Sequence, residues 1–232
     1  MGIRKHIPNT LTLCNLISGC IGSVFALRGN FNVTLICVIV SGCFDFLDGF
    51  SARMLGAYSE IGKELDSLAD LVSFGLAPSL CLYSFYGAGG HLFPWLGYTA
   101  LLIVAFSALR LAKFNLDERQ TVSFLGMPTP ACALFVIPMC VYATGSEGFI
   151  HNLLSTGWFI PVLSIALSLL LVSEIPMLSM KQKTPRLRTF IIGSVILAAV
   201  CAIFVKCSLS LCMTVVFAFY ILLNIGSLRR EA

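Results

Sequence analysis

At 232 residues, with 58% hydrophobic and only 11% charged residues, the chain carries more apolar surface than a soluble domain of its length can bury. Its apolar residues come in runs of roughly 17 to 22 without strand-like alternation, which is the length of helix that crosses a ~30 Å hydrocarbon layer. A formal net charge of +4, with no basic patch interleaved with aromatics, gives no reason to expect nucleic acid as a partner.

These runs predict an all-α, polytopic transmembrane helical bundle, a single domain over 1–232. About eight spans are expected, near 9–27, 31–50, 66–86, 93–112, 128–144, 157–178, 189–205 and 208–227. Arg4 and Lys5 precede a first span that is longer than the apolar core of a signal peptide and has no clear small-residue cleavage site, so it is expected to stay in the mature protein. Lys and Arg side chains are left on the cytoplasmic side of a membrane. Thirteen of the 15 fall at the chain ends and in alternate connections, whereas only Arg28 and Lys206 fall on the other side. Both termini are therefore expected in the cytoplasm, in a multi-pass protein of the cell (inner) membrane whose basic residues also contact anionic membrane lipids. The ten cysteines form no C-x-x-C pair and lie mostly inside spans, so packing is their expected role. His6, His91 and His151 are isolated and expected at membrane ends or in loops.

Between the second and third spans the chain reads Phe44-Asp45-Phe46-Leu47-Asp48-Gly49-Phe50-Ser51-Ala52-Arg53, then Gly62-Lys63-Glu64-Leu65-Asp66-Ser67-Leu68-Ala69-Asp70. An acidic group deep in a membrane helix costs about 2.5–3.5 kcal/mol on insertion scales, so four of them need a compensating partner. Asp45 and Asp48 are i and i+3 on one helix, and Gly62, Asp66 and Asp70 follow in steps of four on the next. Both pairs are expected near the cytoplasmic ends of antiparallel neighbours, where they can converge. Converging carboxylates suit hard divalent cations such as Mg²⁺ or Mn²⁺, and two such ions can bind a pyrophosphate. Gly49 and Gly62 leave room for a phosphate or nucleotide to approach the backbone, and Arg53 presents a planar fork to phosphate oxygens. A proton relay or transporter ion site, with glycines serving only close helix packing, is the alternative from another class.

The segment resembles the CDP-alcohol phosphatidyltransferases, whose signature is D-x2-D-G-x2-A-R-x8-G-x3-D-x3-D. Asp45, Asp48, Gly49, Ala52, Arg53, Gly62, Asp66 and Asp70 occupy every fixed position, and Pro8-Asn9-Thr10-Leu11-Thr12 is similar to the P-N-x-L-T that opens many members. The resemblance implies a helical bundle, usually a homodimer, that takes CDP-diacylglycerol as donor and holds two divalent cations (Mg²⁺ or Mn²⁺). It implies that Asp45, Asp48 and Asp66 are metal ligands and that Asp70 is both ligand and general base. A turn from Asn9 to Thr12, together with Gly49, Arg53, Ser59 and Gly62, is implied to contact the CDP-lipid.

The stretches Glu64 to Pro78, Arg110 to Asn115 and Gly126 to Ala131 are similar to the membrane-integral branch that accepts L-serine. That similarity implies an acceptor site around Arg110, Lys113, Asn115 and Pro128, although the branch often carries Arg where this chain has Lys113. The same residues also read as a positive-inside helix end and as a rigid turn before the fifth span. Glycerol 3-phosphate or an inositol phosphate remains an alternative acceptor. The last three spans show little beyond hydropathy.

Overall fold

The computed structural model describes residues 6–116, 124–177 and 209–227. In chain order the helices are α1 (His6–Leu27), α2 (Phe31–Leu55), α3 (Glu60–Asp70), α4 (Ala77–Ala88), α5 (Leu102–Leu116), α6 (Thr129–Gly145), α7 (Phe149–Leu154), α8 (Phe159–Val172) and α9 (Leu209–Ser227). A π-helical turn, Leu71–Leu76, joins α3 to α4 without a break, and a 3₁₀ segment, Pro94–Leu101, leads into α5. Four of the resulting rods, His6–Leu27, Phe31–Leu55, Glu60–Ala88 and Pro94–Leu116, are long and apolar enough to cross a membrane. The expected span 189–205 lies outside the described residues.

Capping chemistry sets the boundaries around the acidic segment. α2 runs on to Leu55, beyond the expected 50, and stops where Gly56 turns left-handed at φ 58° and donates its N–H to the carbonyls of Ala52 and Arg53. α3 starts at Glu60, not 66, because Ser59 caps it by accepting the Gly62 N–H at 3.0 Å. Asp48 and Asp66 consequently sit about two turns inside the ends of α2 and α3 that flank the loop, and Asp70 closes α3 where the π turn begins. A second correction concerns Asn9 to Thr12, which lies within the first turns of α1 and is not a free-standing turn. The sixth expected span also ends early, at Val172. Pro176 disfavours helix at the residue before it, and this stretch pairs instead with 124–125 in a short antiparallel ladder. Gly126 and Met127 donate their N–H groups to the carbonyls of Ile175 and Leu170. At φ +75° Gly126 is packed so tightly against the carbonyls of Leu171 and Ser173 that only glycine fits.

α1 packs most extensively on α2 and also against α3 and α4; α6 packs against α2, α4 and α9, and α5 against α8. The buried residues of α1 are Pro8, Thr12, Asn15, Gly19, Gly22, Ser23 and Ala26, a stripe in steps of three and four made of small and polar groups. Its large side chains Leu13, Ile17, Ile21 and Val24 face outward, as do Ile36, Ile39, Phe46 and Phe50 of α2. Lipid tails are as apolar as these side chains, so helix association there depends on close backbone approach and hydrogen bonds. Both occur in this interface. The Ser18 hydroxyl donates to the Cys37 carbonyl at 2.8 Å, and Thr34 Oγ1 donates to the Gly22 carbonyl at 3.0 Å. Around α6 and α8 the interior is instead filled by Val136, Ile137, Met139, Ile160, Leu167 and Leu171. At the end of the bundle away from α2's C-terminus, Phe93 contacts the rings of Trp95 and Trp158, an aromatic grouping typical of a membrane–water interface.

Candidate active site

Two antiparallel helices carry the four aspartates, and α1 closes one side. Ligand atoms of Asp45, Asp48 and Asp66 all lie within 4.8 Å of one another. Asp48 is buried, and Asp45 and Asp66 are half-buried. Thr12 Oγ1 donates to Asp48 Oδ2 at 2.5 Å, so this residue, expected to face the CDP-lipid, also orients a carboxylate. Asp70 stands outside the group of three but close enough to interact electrostatically with each of them. Its Oδ1 accepts from Asn15 Nδ2 at 3.3 Å.

These residues fit a divalent cation. Like charges held this close repel one another, and Asp66 Oδ1 is buried with no hydrogen-bond partner. An oxygen-only donor set with an orphaned buried lone pair is what a hard cation satisfies.

Beside the carboxylates opens a cavity of about 800 Å³ whose wall includes Asn9, Thr12, Asp48, Gly49, Ser59, Gly62, Asp66 and Asn115. A Cβ on Gly49 would meet nothing within 4 Å, so the absent side chain leaves cavity space. A Cβ on Gly62 would come within 2.9 Å of Ser59 Oγ and 3.0 Å of Asn9 Oδ1, so glycine there lets α1 and the α3 cap close on each other. Arg53 is exposed in the last turn of α2 and is not part of the cavity wall.

The residues expected around the acceptor divide. Asn115 reaches the cavity; its carbonyl accepts from Lys63 Nζ at 2.8 Å and its Nδ2 donates to Ser67 Oγ at 2.9 Å, tying α5 to α3. Arg110 is buried, interacts electrostatically with Asp70 and Tyr220, and has an Nε with no hydrogen-bond partner. Lys113 is exposed on the last turn of α5, and Pro128 holds the N-cap position of α6; neither lines the cavity.

Sequence reasoning missed Asn15, Ser41 and Ser73, all fully buried beside the aspartates. The available signal was three polar residues in otherwise apolar runs, which acquires meaning only once the helix faces are known.

A sequence profile of the CDP-alcohol phosphatidyltransferases matches residues 5–170. Similar chains include the CDP-diacylglycerol–serine O-phosphatidyltransferase of Bacillus subtilis (strain 168), 35% identical over 134 residues that cover 57% of this chain and 74% of the relative. The protein of the same name from Helicobacter pylori (strain 26695) is 33% identical over 83% of this chain and 80% of its own length. Its namesake from Methanocaldococcus jannaschii is 33% identical over 75% of each. With the signature intact, its carboxylates gathered beside a cavity and the match spanning α1 to α8, the chain belongs to the CDP-alcohol phosphatidyltransferase family.

Proposed function

We propose that the chain transfers the phosphatidyl group of CDP-diacylglycerol to L-serine, giving phosphatidylserine and CMP. The observation that carries this reading is the convergence of Asp45, Asp48 and Asp66 beside a cavity into which Gly49 projects no side chain. The names of the relatives favour serine as acceptor.

Two divalent cations, Mg²⁺ or Mn²⁺, held by Asp45, Asp48, Asp66 and Asp70, would neutralise the pyrophosphate and make CMP a better leaving group. The chain's own groups do the rest. Asn9, Gly49, Ser59 and Gly62 receive the CDP moiety, with Arg53 meeting it from outside the cavity wall. Asp70 takes the proton from the serine hydroxyl through the oxygen that Asn15 leaves open. The serine oxygen bonds to the lipid-side phosphorus as the bond from that phosphorus to the bridging oxygen breaks, and the electron pair leaves with CMP. Arg110 binds the serine carboxylate, which gives its unpartnered Nε an acceptor. Asn115 frames this side of the site from the cavity wall, with Lys113 and Pro128 acting from outside that wall. The protein works as a homodimer in the cell (inner) membrane, with the aspartate end toward the cytoplasm, where serine and CMP are soluble.

Purified protein given CDP-diacylglycerol, Mg²⁺ or Mn²⁺ and a panel of alcohols should release CMP fastest with serine. Faster release with glycerol 3-phosphate or an inositol phosphate would overturn the acceptor and leave the donor standing. Asp70→Asn should lower turnover by about 10²–10⁴-fold while still binding a fluorescent CDP-lipid. Activity within tenfold of wild type would remove Asp70 as the base.

A further inference from the structure

Directly after Asp70 the helix widens into the π turn Leu71–Leu76, closed by the Ala77 N–H donating to the Val72 carbonyl five residues back. Such turns commonly mark functional sites, and this one directs a side chain into the α1 interface. Ser73, in the middle of the turn and fully buried, donates to Asn15 Oδ1 at 2.7 Å and lies 3.2 Å from the Asn15 carbonyl. The approach is made possible by Gly19, one turn along α1, where any Cβ would collide with the Ser73 side chain. From α2, Ser41 donates to the Asn15 carbonyl at 3.1 Å.

An asparagine amide is nearly symmetric in shape, and its direction follows from its partners. A hydroxyl donating to Oδ1 leaves Nδ2, a donor only, to face the other way, and the group it meets is Asp70 Oδ1 at 3.3 Å. Were the amide reversed, its oxygen would face the Asp70 carboxylate oxygen and its NH₂ would face the Ser73 hydroxyl. The Ser73 hydroxyl, 3.2 Å from the Asn15 carbonyl, could turn to donate there and accept from the reversed NH₂. The contact with Asp70, however, would become oxygen against oxygen in a buried site, so the carboxylate sets the direction of the amide and Ser73 holds its far end.

We propose that Asn15, its amide held between Ser73 and Asp70, is the positioning residue of Asp70: it fixes Oδ1 on the α1 side, where the second lone pair of that oxygen stays open to a cation, and turns Oδ2 to the acceptor proton. The proposal rests on the reading of Asp70 as the base. It explains why the π turn begins at the residue after Asp70: the base and the residue that aligns it through α1 lie on one short stretch of chain.

The test uses the full-length protein in detergent or nanodiscs, with rates normalised to sites titrated by fluorescent CDP-lipid. Asn15→Ala should lower kcat by about 10–100-fold, as for residues that orient a ligand carboxylate, with the KM for CDP-diacylglycerol within threefold of wild type. Ser73→Ala should lower kcat by about three- to tenfold, and the double variant should be no worse than Asn15→Ala, because Ser73 acts through the amide. In an Asp70→Asn background, Asn15→Ala should cause no further loss. Mn²⁺ binding followed by electron paramagnetic resonance should stay within threefold in both single variants, separating loss of alignment from loss of the cation. Should Asn15→Ala not accumulate as folded protein, Ser73→Ala removes a single oxygen and carries the test by itself.

A kcat within threefold of wild type in Asn15→Ala, a raised KM with kcat unchanged, or losses that multiply in the double variant would overturn the proposal. An active Asp70→Asn would instead defeat the assignment of the base. An inactive Asp70→Asn beside a fully active Asn15→Ala would defeat the positioning role alone.

Discussion

The interface of α1 with α2 and the π turn, and the apolar interior that α6 and α8 each form with their own neighbours, are built from different materials. The first is held by Gly19, Gly22, Ser18, Thr34, Ser41 and Ser73, residues that let backbones approach and exchange hydrogen bonds. The second is filled by Val136 and Ile137 of α6 and by Ile160, Leu167 and Leu171 of α8. In lipid, apolar side chains gain packing contacts but little from leaving the solvent, so an apolar interface tolerates small shifts. A hydrogen-bonded interface fixes direction as well as distance, and the carboxylates lie on that side. Alignment of charge, rather than bulk cohesion, is what the α1 side supplies.

The sharpest way to break this contrast is at the carboxylates. Asp48→Asn or Asp66→Asn keeps side-chain size and removes charge, and CMP release should fall below roughly one part in 10³ of wild type, since losing a ligand outweighs the ~10–100-fold typical of a residue that only orients one. Excess Mn²⁺ should restore little, and a variant keeping a tenth of wild-type turnover would contradict the shared cation site. One step smaller is Thr12→Val, which removes the 2.5 Å hydrogen bond to Asp48 while preserving shape. Mn²⁺ affinity, read by titration, should weaken by about 10–100-fold. An unchanged affinity would make Thr12 a packing residue.

Gly49→Ala probes the cavity. A Cβ there meets no protein atom within 4 Å, so the unfolding temperature should hold, while CDP-lipid binding in a fluorescence assay should weaken by roughly tenfold as about 1.4 kcal/mol of contact is lost. Equal binding would place the nucleotide elsewhere. The smallest effect belongs to the apolar side. Ile137→Val should lower stability by about 1 kcal/mol in a detergent unfolding assay, and turnover per folded molecule should stay within twofold. A larger loss of turnover would show that the two sides are coupled.

Much of this was legible in the chain. The class followed from apolar run length, and the position of the acidic cluster from the steps of three and four between Asp45, Asp48, Gly62, Asp66 and Asp70, because helix geometry is fixed enough to project spacing onto a face. Boundaries were less legible. The α2 and α3 ends depend on Gly56 and Ser59 caps at the two ends of a four-residue loop, and the end of α8 depends on a ladder with residues some fifty positions earlier.

Composition and local spacing therefore suffice for the membrane class, the family signature and the chemistry of the acidic residues. It took the packed helices to show that Arg53 stands outside the cavity wall, that Arg110 is buried, and that Asn15 and Ser73 meet beside Asp70. The physical reason is twofold. A π turn interrupts the helical register just past Asp70, so 3.6-residue spacing no longer predicts what lies beyond. In a lipid-embedded chain, moreover, the buried stripe of α1 is small and polar while its large apolar residues face outward, so hydrophobicity does not reveal which face is inside.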